Sequence, residues 1–350
     1  MGNGTSLLDR IVEFEPTKST NHARYGTITR YNVATSDGIE REVIHGQTLA
    51  KHRSPIQSAH LTVGTAPPLS LGPEGIVMHF LLKSMEAGVD GIVFGPERSR
   101  RGVNDESEIR AIAKHITFQS SALANHLVCD RLAERASTDL STMMWTGTSL
   151  GAMKGITFAA AAPERGRTMV YSQFVVPACP NPQALPTEAE LRKFQRDELG
   201  AMARLSAELL AHDMRDRMFQ LNRSVARSMR PGLLVRYARS IPRDSVSRIF
   251  TEAWRAAVVS GDGGGAATRL PGNRLATFEL FDHDDAGPVE AWREKLADVL
   301  GESVRIVVKH GHHTDSLRLS HQRDRAVHIG RLIRAVRTGT PVDELSHPYA

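Results

Sequence analysis

Met143-Met144-Trp145-Thr146-Gly147-Thr148-Ser149-Leu150-Gly151 is the segment around which the rest of the chain is organised. An apolar run leads into a serine that has a glycine two positions away on each side, and a small-residue segment, Ala152 to Ala162, follows. That order predicts strand, tight turn and helix. Glycine removes the side-chain clashes that would otherwise keep strand and helix apart, so the serine can sit on a sharp, strained turn with its hydroxyl pushed outward. At a helix start, unpaired N–H groups and the positive end of the helix dipole also point at any oxyanion formed beside Ser149. A plain Gly-Ser loop between two core elements would show the same five residues, so the flanking strand and helix carry the weight of this reading.

The composition suits a soluble globular protein. The chain has 350 residues, of which 41% are hydrophobic and 24% charged, enough for one large core or a core with a sizeable insertion. Its two cysteines, Cys129 and Cys179, are too few for a disulfide framework and have no metal-ligand spacing. No apolar run is long enough to span a membrane and no apolar signal core opens the chain, so a cytoplasmic location is expected. A formal charge of +5 raises the question of nucleic acid, but the basic residues form no dense run interleaved with aromatics, which are only 5% of the chain. No nucleic-acid partner is therefore expected. Between Glu188 and Val259 there are fourteen Lys and Arg against nine Asp and Glu, so this one region carries a net charge equal to that of the whole chain.

Around the central stretch the chain alternates between strand and helix patterns. Residues 1–26 are polar and irregular and read as a surface-wrapping N-terminal arm. Thr27 to Asn32 and Ile39 to Ile44 alternate around Ser36-Asp37-Gly38 and predict a β-hairpin. His60 to Val63 is a short strand running into Gly64-Thr65-Ala66-Pro67-Pro68, and Glu74 to Ala87 is a helix. Gly91 to Phe94 is a strand, Ser107 to Leu132 a long helix, and Met169 to Pro177 a further strand. This alternation predicts an α/β protein with a mostly parallel twisted sheet and helices on both faces. From Asn181 to Leu270 about ninety residues read as helical, opened by a capping box at Thr187 and Glu190, with no strand among them. The alternation then resumes with strand Ala276 to Phe281, helix Val289 to Leu300, strand Val304 to Val308 and helix Asp324 to Val336. The expected organisation is a core in two parts, 1–180 and 271–350, around a helical insertion at 181–270.

Two of those strands end in chemistry-bearing residues. Phe281-Asp282-His283-Asp284-Asp285 follows one and Lys309-His310-Gly311-His312-His313 the other. In a parallel sheet the residues just past the carboxyl ends of strands gather on one edge, so Ser149, an aspartate and a histidine can converge there. Serine chemistry needs that set: an imidazole to take the hydroxyl proton and a carboxylate to fix the imidazole's tautomer. Three nearby histidines could instead ligate a metal, but the carboxylates sit at another strand end and no helical His pair exists, so neither metal nor cofactor is expected.

The hairpin, the Gly-containing loop after the third strand, the Gly-Thr-Ser-Leu-Gly elbow, the helical insertion, and then Asp and His after the last two strands together resemble the α/β-hydrolase fold family with a cap domain. The resemblance runs from about Thr27 to the C-terminal helix, and the order Ser, Asp, His is the one that family uses. It implies a three-layer fold and a serine hydrolase with Ser149 as nucleophile. Asp285 resembles the acid, as the fourth residue of a Gly-x-x-Asp pattern in which Asp282 replaces the glycine, and Asp284 is the alternative. His312 resembles the base because it follows Gly311, with His313 and His310 as competitors. The oxyanion hole would be the backbone N–H of Leu150 with one from Thr65 or Ala66, where Val63-Gly64 replaces the usual His-Gly. The expected reaction is hydrolysis of a carboxylic ester through an acyl-enzyme. The expected substrate is a small molecule with an apolar part beneath the cap, whose arginines leave room for an anionic group. The alternatives are a thioesterase or acyltransferase, or a non-catalytic member that uses the cap to bind a partner.

Overall fold

The computed structural model describes residues 11–36, 39–49, 58–64, 78–95, 98–99, 118–177, 275–285, 287–298 and 304–338, with isolated positions between 180 and 197. Among these residues, ten strands form one sheet: β1 (Ile11–His22), β2 (Gly26–Thr35), β3 (Ile39–Thr48), β4 (Ser58–Gly64), β5 (Asp90–Phe94), β6 (Arg98–Ser99), β7 (Thr142–Ser149), β8 (Thr168–Val175), β9 (Leu275–Phe281) and β10 (Val304–Lys309). The sheet runs in the order β1-β2-β3-β5-β4-β7-β8-β9-β10, with β6 against β3. Pairing is antiparallel from β1 through β3 to β5 and parallel from β5 to β10. The α-helices among the described residues are α1 (Met78–Glu86), α2 (Phe118–Ala136), α3 (Leu150–Ala161), α4 (Val289–Leu296) and α5 (Leu319–Thr338).

Strand alternation sorts the core into two layers. Val43, Ile92, Met143, Trp145, Phe278 and Val304 face one side and pack with α2, α3 and α4 through Leu127, Leu132, Met153, Ile156 and Trp292. Their neighbours Ile44, Val93 and Met144 face the other side and pack with α1 and α5 through Leu81, Met85, Ile329, Leu332 and Ile333. Helices therefore cover both faces, as an α/β sheet with buried parallel strands requires.

Two expectations need correction. The polar N-terminal segment is not an irregular arm over residues 11–22. It is the edge strand β1, paired with β2 from Ile11↔Thr35 to His22↔Gly26 and slipping register around Pro16, which cannot donate to the ladder. Phe14 stacks on Tyr31 at 4.8 Å and anchors it. The hairpin closes at Gly26, at φ +118°, where a Cβ would lie 2.0 Å from the Gln47 carbonyl oxygen. The last helix also starts earlier than expected, at Leu319 and not at Asp324, and it carries polar Arg325 and His328 at buried positions. The helical insertion at 181–270 lies outside the described residues apart from those few positions. At its start, Thr187 and Glu190 make the reciprocal hydrogen bonds expected of a capping box.

Candidate active site

Ser149 ends β7 and Leu150 begins α3, so strand passes into helix with no intervening residue. Ser149 adopts φ 56°, ψ −120°, a conformation that side-chain-bearing residues rarely take and that marks a strained turn. The surrounding glycines make it feasible. A Cβ on Gly147 would sit 2.4 Å from the Gly151 carbonyl oxygen, so strand and helix are in backbone contact there. One turn further along α3, a Cβ on Gly155 would lie 1.9 Å from Trp145 Nε1, so only glycine lets the helix settle on the buried indole.

The loop after β9 turns back at Asp284. Asp284 N–H donates to the Phe281 carbonyl at 3.2 Å, which swings the Asp284 side chain inward, where the residue is only 4% exposed. Its Oδ1 accepts the Gly287 N–H at 3.3 Å. Gly287 is itself pressed against Pro177, whose carbonyl oxygen would be 2.2 Å from a Cβ. After β10, Gly311 sits at φ +136° and leaves room for Asp315 Oδ2, which accepts the His312 N–H at 2.8 Å. The chain then enters a 3-10 turn, His313–Leu317, whose first side chain points inward. His313, 6% exposed, places Nδ1 2.8 Å from Asp284 Oδ2 and Nε2 3.0 Å from Ser149 Oγ. A carboxylate only accepts, so Nδ1 carries the ring proton and Nε2 offers its lone pair to the hydroxyl. That arrangement can draw a proton from Ser149.

The residues brought together are thus Ser149, His313 and Asp284, and not His312 and Asp285. Asp285 points away, its side chain 74% exposed and 3.8 Å from Lys193 Nζ. His312 is exposed, with Nδ1 donating to the His283 carbonyl at 2.9 Å. The error has a physical source. Counting from Asp282 as a substituted glycine assumes that Asp282 begins a free turn. Its N–H still donates to the Lys309 carbonyl, and its carboxylate takes the Gly311 N–H and faces His310 Nδ1, both at 2.9 Å. These contacts hold the Asp282 carboxyl below its usual range, the Gly311 amide contributing most. His310, the other competitor, is committed to that contact and is exposed.

Leu150 is the first residue of α3, where a backbone N–H has no partner within the helix. Thr65 and Ala66 lie outside the described residues, although Gly64, just before them, pairs with Ser149 itself.

Sequence reasoning missed a buried charge network behind His313. Glu279, in the middle of β9, is fully buried and takes a two-pronged contact from Arg325, with the Arg325 Nε at 3.1 Å. Lys309 Nζ lies 3.0 Å away and Gln173 Nε2 donates at 3.2 Å. Burial alone would raise the Glu279 carboxyl, but the Arg325 and Lys309 charges outweigh it and bring its pKa down to about 2. Arg325 also donates to the Ser316 carbonyl at 2.7 Å, which ties the network to the turn that carries His313. A glutamate within the apolar Ala276 to Phe281 run was the available signal.

The sheet order, the strained elbow and the convergence of three strand ends can be set against known structures. Acetyl xylan esterase 1 from Thermoanaerobacterium sp. JW/SL YS485 superposes with a TM-score of 0.51 at 11% identity, over 93% of this chain and 91% of that one. A 2,6-dihydroxy-pseudo-oxynicotine hydrolase superposes with a TM-score of 0.51 at 12% identity, over 89% and 70%. The chain has the α/β-hydrolase fold. At these identities the likeness concerns the fold, and no family model and no curated protein sequence matches the chain. In an α/β-hydrolase fold the carboxyl edge of the parallel strands is where β7, β9 and β10 deliver Ser149, Asp284 and His313 here.

Proposed function

We propose that this α/β-hydrolase-fold protein is a serine hydrolase acting on a carboxylic ester, with Ser149 as nucleophile, His313 as general base and Asp284 as the group that orients it. The observation that carries the reading is the continuous relay from Asp284 Oδ2 through His313 to Ser149 Oγ, at 2.8 and 3.0 Å. His313 Nε2 takes the hydroxyl proton as Oγ attacks the substrate carbonyl, and the imidazolium formed is stabilised by the buried Asp284 carboxylate. The Leu150 N–H, with a donor from Thr65 or Ala66, holds the oxyanion. His313 returns its proton to the leaving alcohol. Water then attacks the acyl-enzyme with the roles of His313 reversed.

The elbow supports the same reading, because a serine held at positive φ stores strain that a plain Gly-Ser loop has no reason to keep. The segment 181–270, which the sequence reads as helical with apolar positions and an arginine excess, is proposed as the roof of a pocket for an apolar acyl group. The protein is proposed to work in the cytoplasm, and no described helix is long and apolar enough to cross a membrane.

The test is labelling with a fluorophosphonate probe. Wild type and His312→Ala should label, Ser149→Ala should not, and His313→Ala should label far more slowly. A folded wild type that stays unlabelled, or labelling that survives Ser149→Ala, defeats the proposal and turns attention to the cap as a binding surface.

A further inference from the structure

The pairing of β9 with β10 does more than deliver Asp284 and His313. A metal was not expected because the carboxylates follow one strand and the histidines another, yet adjacent parallel strands set their ends side by side. Asp282 and His283 follow β9, His310 follows β10, and one donor atom from each lies within 4.8 Å of the other two. Asp282 Oδ2 is 2.9 Å from His310 Nδ1, and Asp282 Oδ1 is 3.8 Å from His283 Nε2. Ligands at about 2.0–2.1 Å around a tetrahedral zinc ion stand roughly 3.3 Å from one another, and the two Asp282 oxygens, each facing a different histidine, lie close to that spacing from their partners. We propose that Asp282, His283 and His310 form a site for a borderline divalent transition-metal ion such as Zn²⁺, bridging the two loops that carry Asp284 and His313.

The donor chemistry points to this class of ion. Two imidazoles and one carboxylate suit zinc and its neighbours far better than magnesium or calcium, which demand oxygen ligands. All three side chains are exposed, so an ion can reach them without opening the fold, and solvent can complete its coordination. The Gly311 N–H, donating to Asp282 Oδ1, fixes the carboxylate as an outer-shell contact should. His310 must change tautomer. Facing a carboxylate, its Nδ1 carries the proton, and on binding that proton moves to Nε2 as the metal takes the Nδ1 lone pair. The rings of His283 and His310 stand nearly perpendicular with centroids 5.0 Å apart, so each can turn a nitrogen toward a common point without stacking on the other.

The site does not depend on the hydrolase reading, because its test reads binding. Calorimetric titration of the full chain with ZnCl₂, freed of metal beforehand, should show one saturable site. His283→Ala, His310→Ala and Asp282→Asn should each weaken it at least tenfold, while His22→Ala at the far edge of the sheet leaves it unchanged. Zn²⁺ should raise the thermal midpoint of wild type and of Ser149→Ala alike but not of the three ligand variants. Co²⁺ in place of Zn²⁺ should give the strong visible absorption of a four-coordinate site, lost in the same variants. No saturable binding to wild type, or binding indifferent to all three substitutions, overturns the proposal. Since the three side chains lie at the surface, circular dichroism of each variant separates lost ligation from lost folding.

Discussion

Asp284→Asn tests the relay through a single proton. In the wild type, Asp284 Oδ1 accepts the Gly287 N–H at 3.3 Å while Oδ2 faces His313 Nδ1 at 2.8 Å. An asparagine of the same shape meets both contacts in only one orientation that helps: its carbonyl oxygen stays on the Gly287 amide and its NH₂ group takes the place of Oδ2. That group donates, so His313 must accept at Nδ1 and carry its proton on Nε2. The lone pair that faced Ser149 Oγ across 3.0 Å is gone, and the hydroxyl loses its base without any loss of packing. Reversing the tautomer in this way costs about 10⁴ in kcat, equivalent to about 5.4 kcal/mol at 1.36 kcal/mol per tenfold. Hydrolysis of p-nitrophenyl acetate should therefore fall by about that factor in kcat, with KM within a few-fold, because Asp284 acts through His313 and does not touch the ester. Asp285→Asn, altering a side chain that is mostly in solvent, should match the wild type. If Asp284→Asn keeps more than a tenth of the wild-type kcat, or Asp285→Asn falls as far, the relay drawn here is wrong.

Three further outcomes follow from the packing and the charges. Gly147→Ala drives a Cβ to 2.4 Å from the Gly151 carbonyl oxygen and 2.7 Å from Trp145 Nε1, and since backbone cannot yield cheaply the overpacking should cost about 1–3 kcal/mol, read as a lowered thermal midpoint; an unchanged midpoint would show that the elbow is looser than described. Glu279→Gln leaves the Arg325 and Lys309 charges buried around a neutral amide and should cost about 3–5 kcal/mol in denaturant unfolding. The same carboxylate sets an acid limit: its folded pKa of about 2 lies below the unfolded value of 4.5, so its contribution, on the order of 3 kcal/mol, is present above pH 4.5 and is lost as pH falls towards 2. The Gln variant should lack that part of the pH dependence, and a parallel curve would refute the assignment. His126 stacks on Phe158 at 3.8 Å and bonds its carbonyl at 3.2 Å, and burial, then the Arg167 charge, brings its pKa from 6.5 to about 3. Here the unfolded chain takes the proton first, so stability should decline as pH drops below 6.5, and the His126 ring resonances should stay flat between about pH 8 and about pH 4.5.

What the sequence could and could not show divides along the range of the forces involved. Strands β5, β7, β8 and β9 were legible because each is a short apolar run buried on both faces, and Ser149 was legible because the glycines that permit its backbone lie within two residues of it. Strand β1 was not, since an edge strand turns much of its length to solvent and Pro16 reads as a breaker, while its anchor, Tyr31, is a partner on another strand. The buried place of Arg325 on α5 was hidden because its partner is a glutamate 46 positions earlier, so a core position carries a charged residue. Aspartate and histidine types after β9 and β10 were legible for the same local reason as the strands themselves, but the choice within each cluster was not.

That choice is made by two backbone hydrogen bonds, Asp282 N–H to the Lys309 carbonyl and His283 N–H to the Gly311 carbonyl, which continue the β9–β10 pairing past the formal ends of the strands. They delay the turn after β9 so that Asp284 is the residue swung inward by its bond to Phe281, and they hold Gly311 in line so that the chain turns in only at His313. Neither bond has a side-chain signature, because any residue but proline can donate an N–H. The acid and the base are accordingly displaced from the expected positions in opposite directions, the acid one residue earlier and the base one residue later, as two loops zipped a step further together require. The same zipping brings Asp282 beside His310, so the shift in the reading of the active site and the proposed metal site have one origin. A proline at position 283, which removes one of the two N–H donors, should therefore disturb both at once: it should lower kcat by releasing Asp284 from its inward turn, and weaken Zn²⁺ binding beyond the effect of His283→Ala, which removes the same ligand but keeps the N–H. Equal Zn²⁺ affinity and full activity in the proline variant would show that side chains, and not the extended pairing, set both sites.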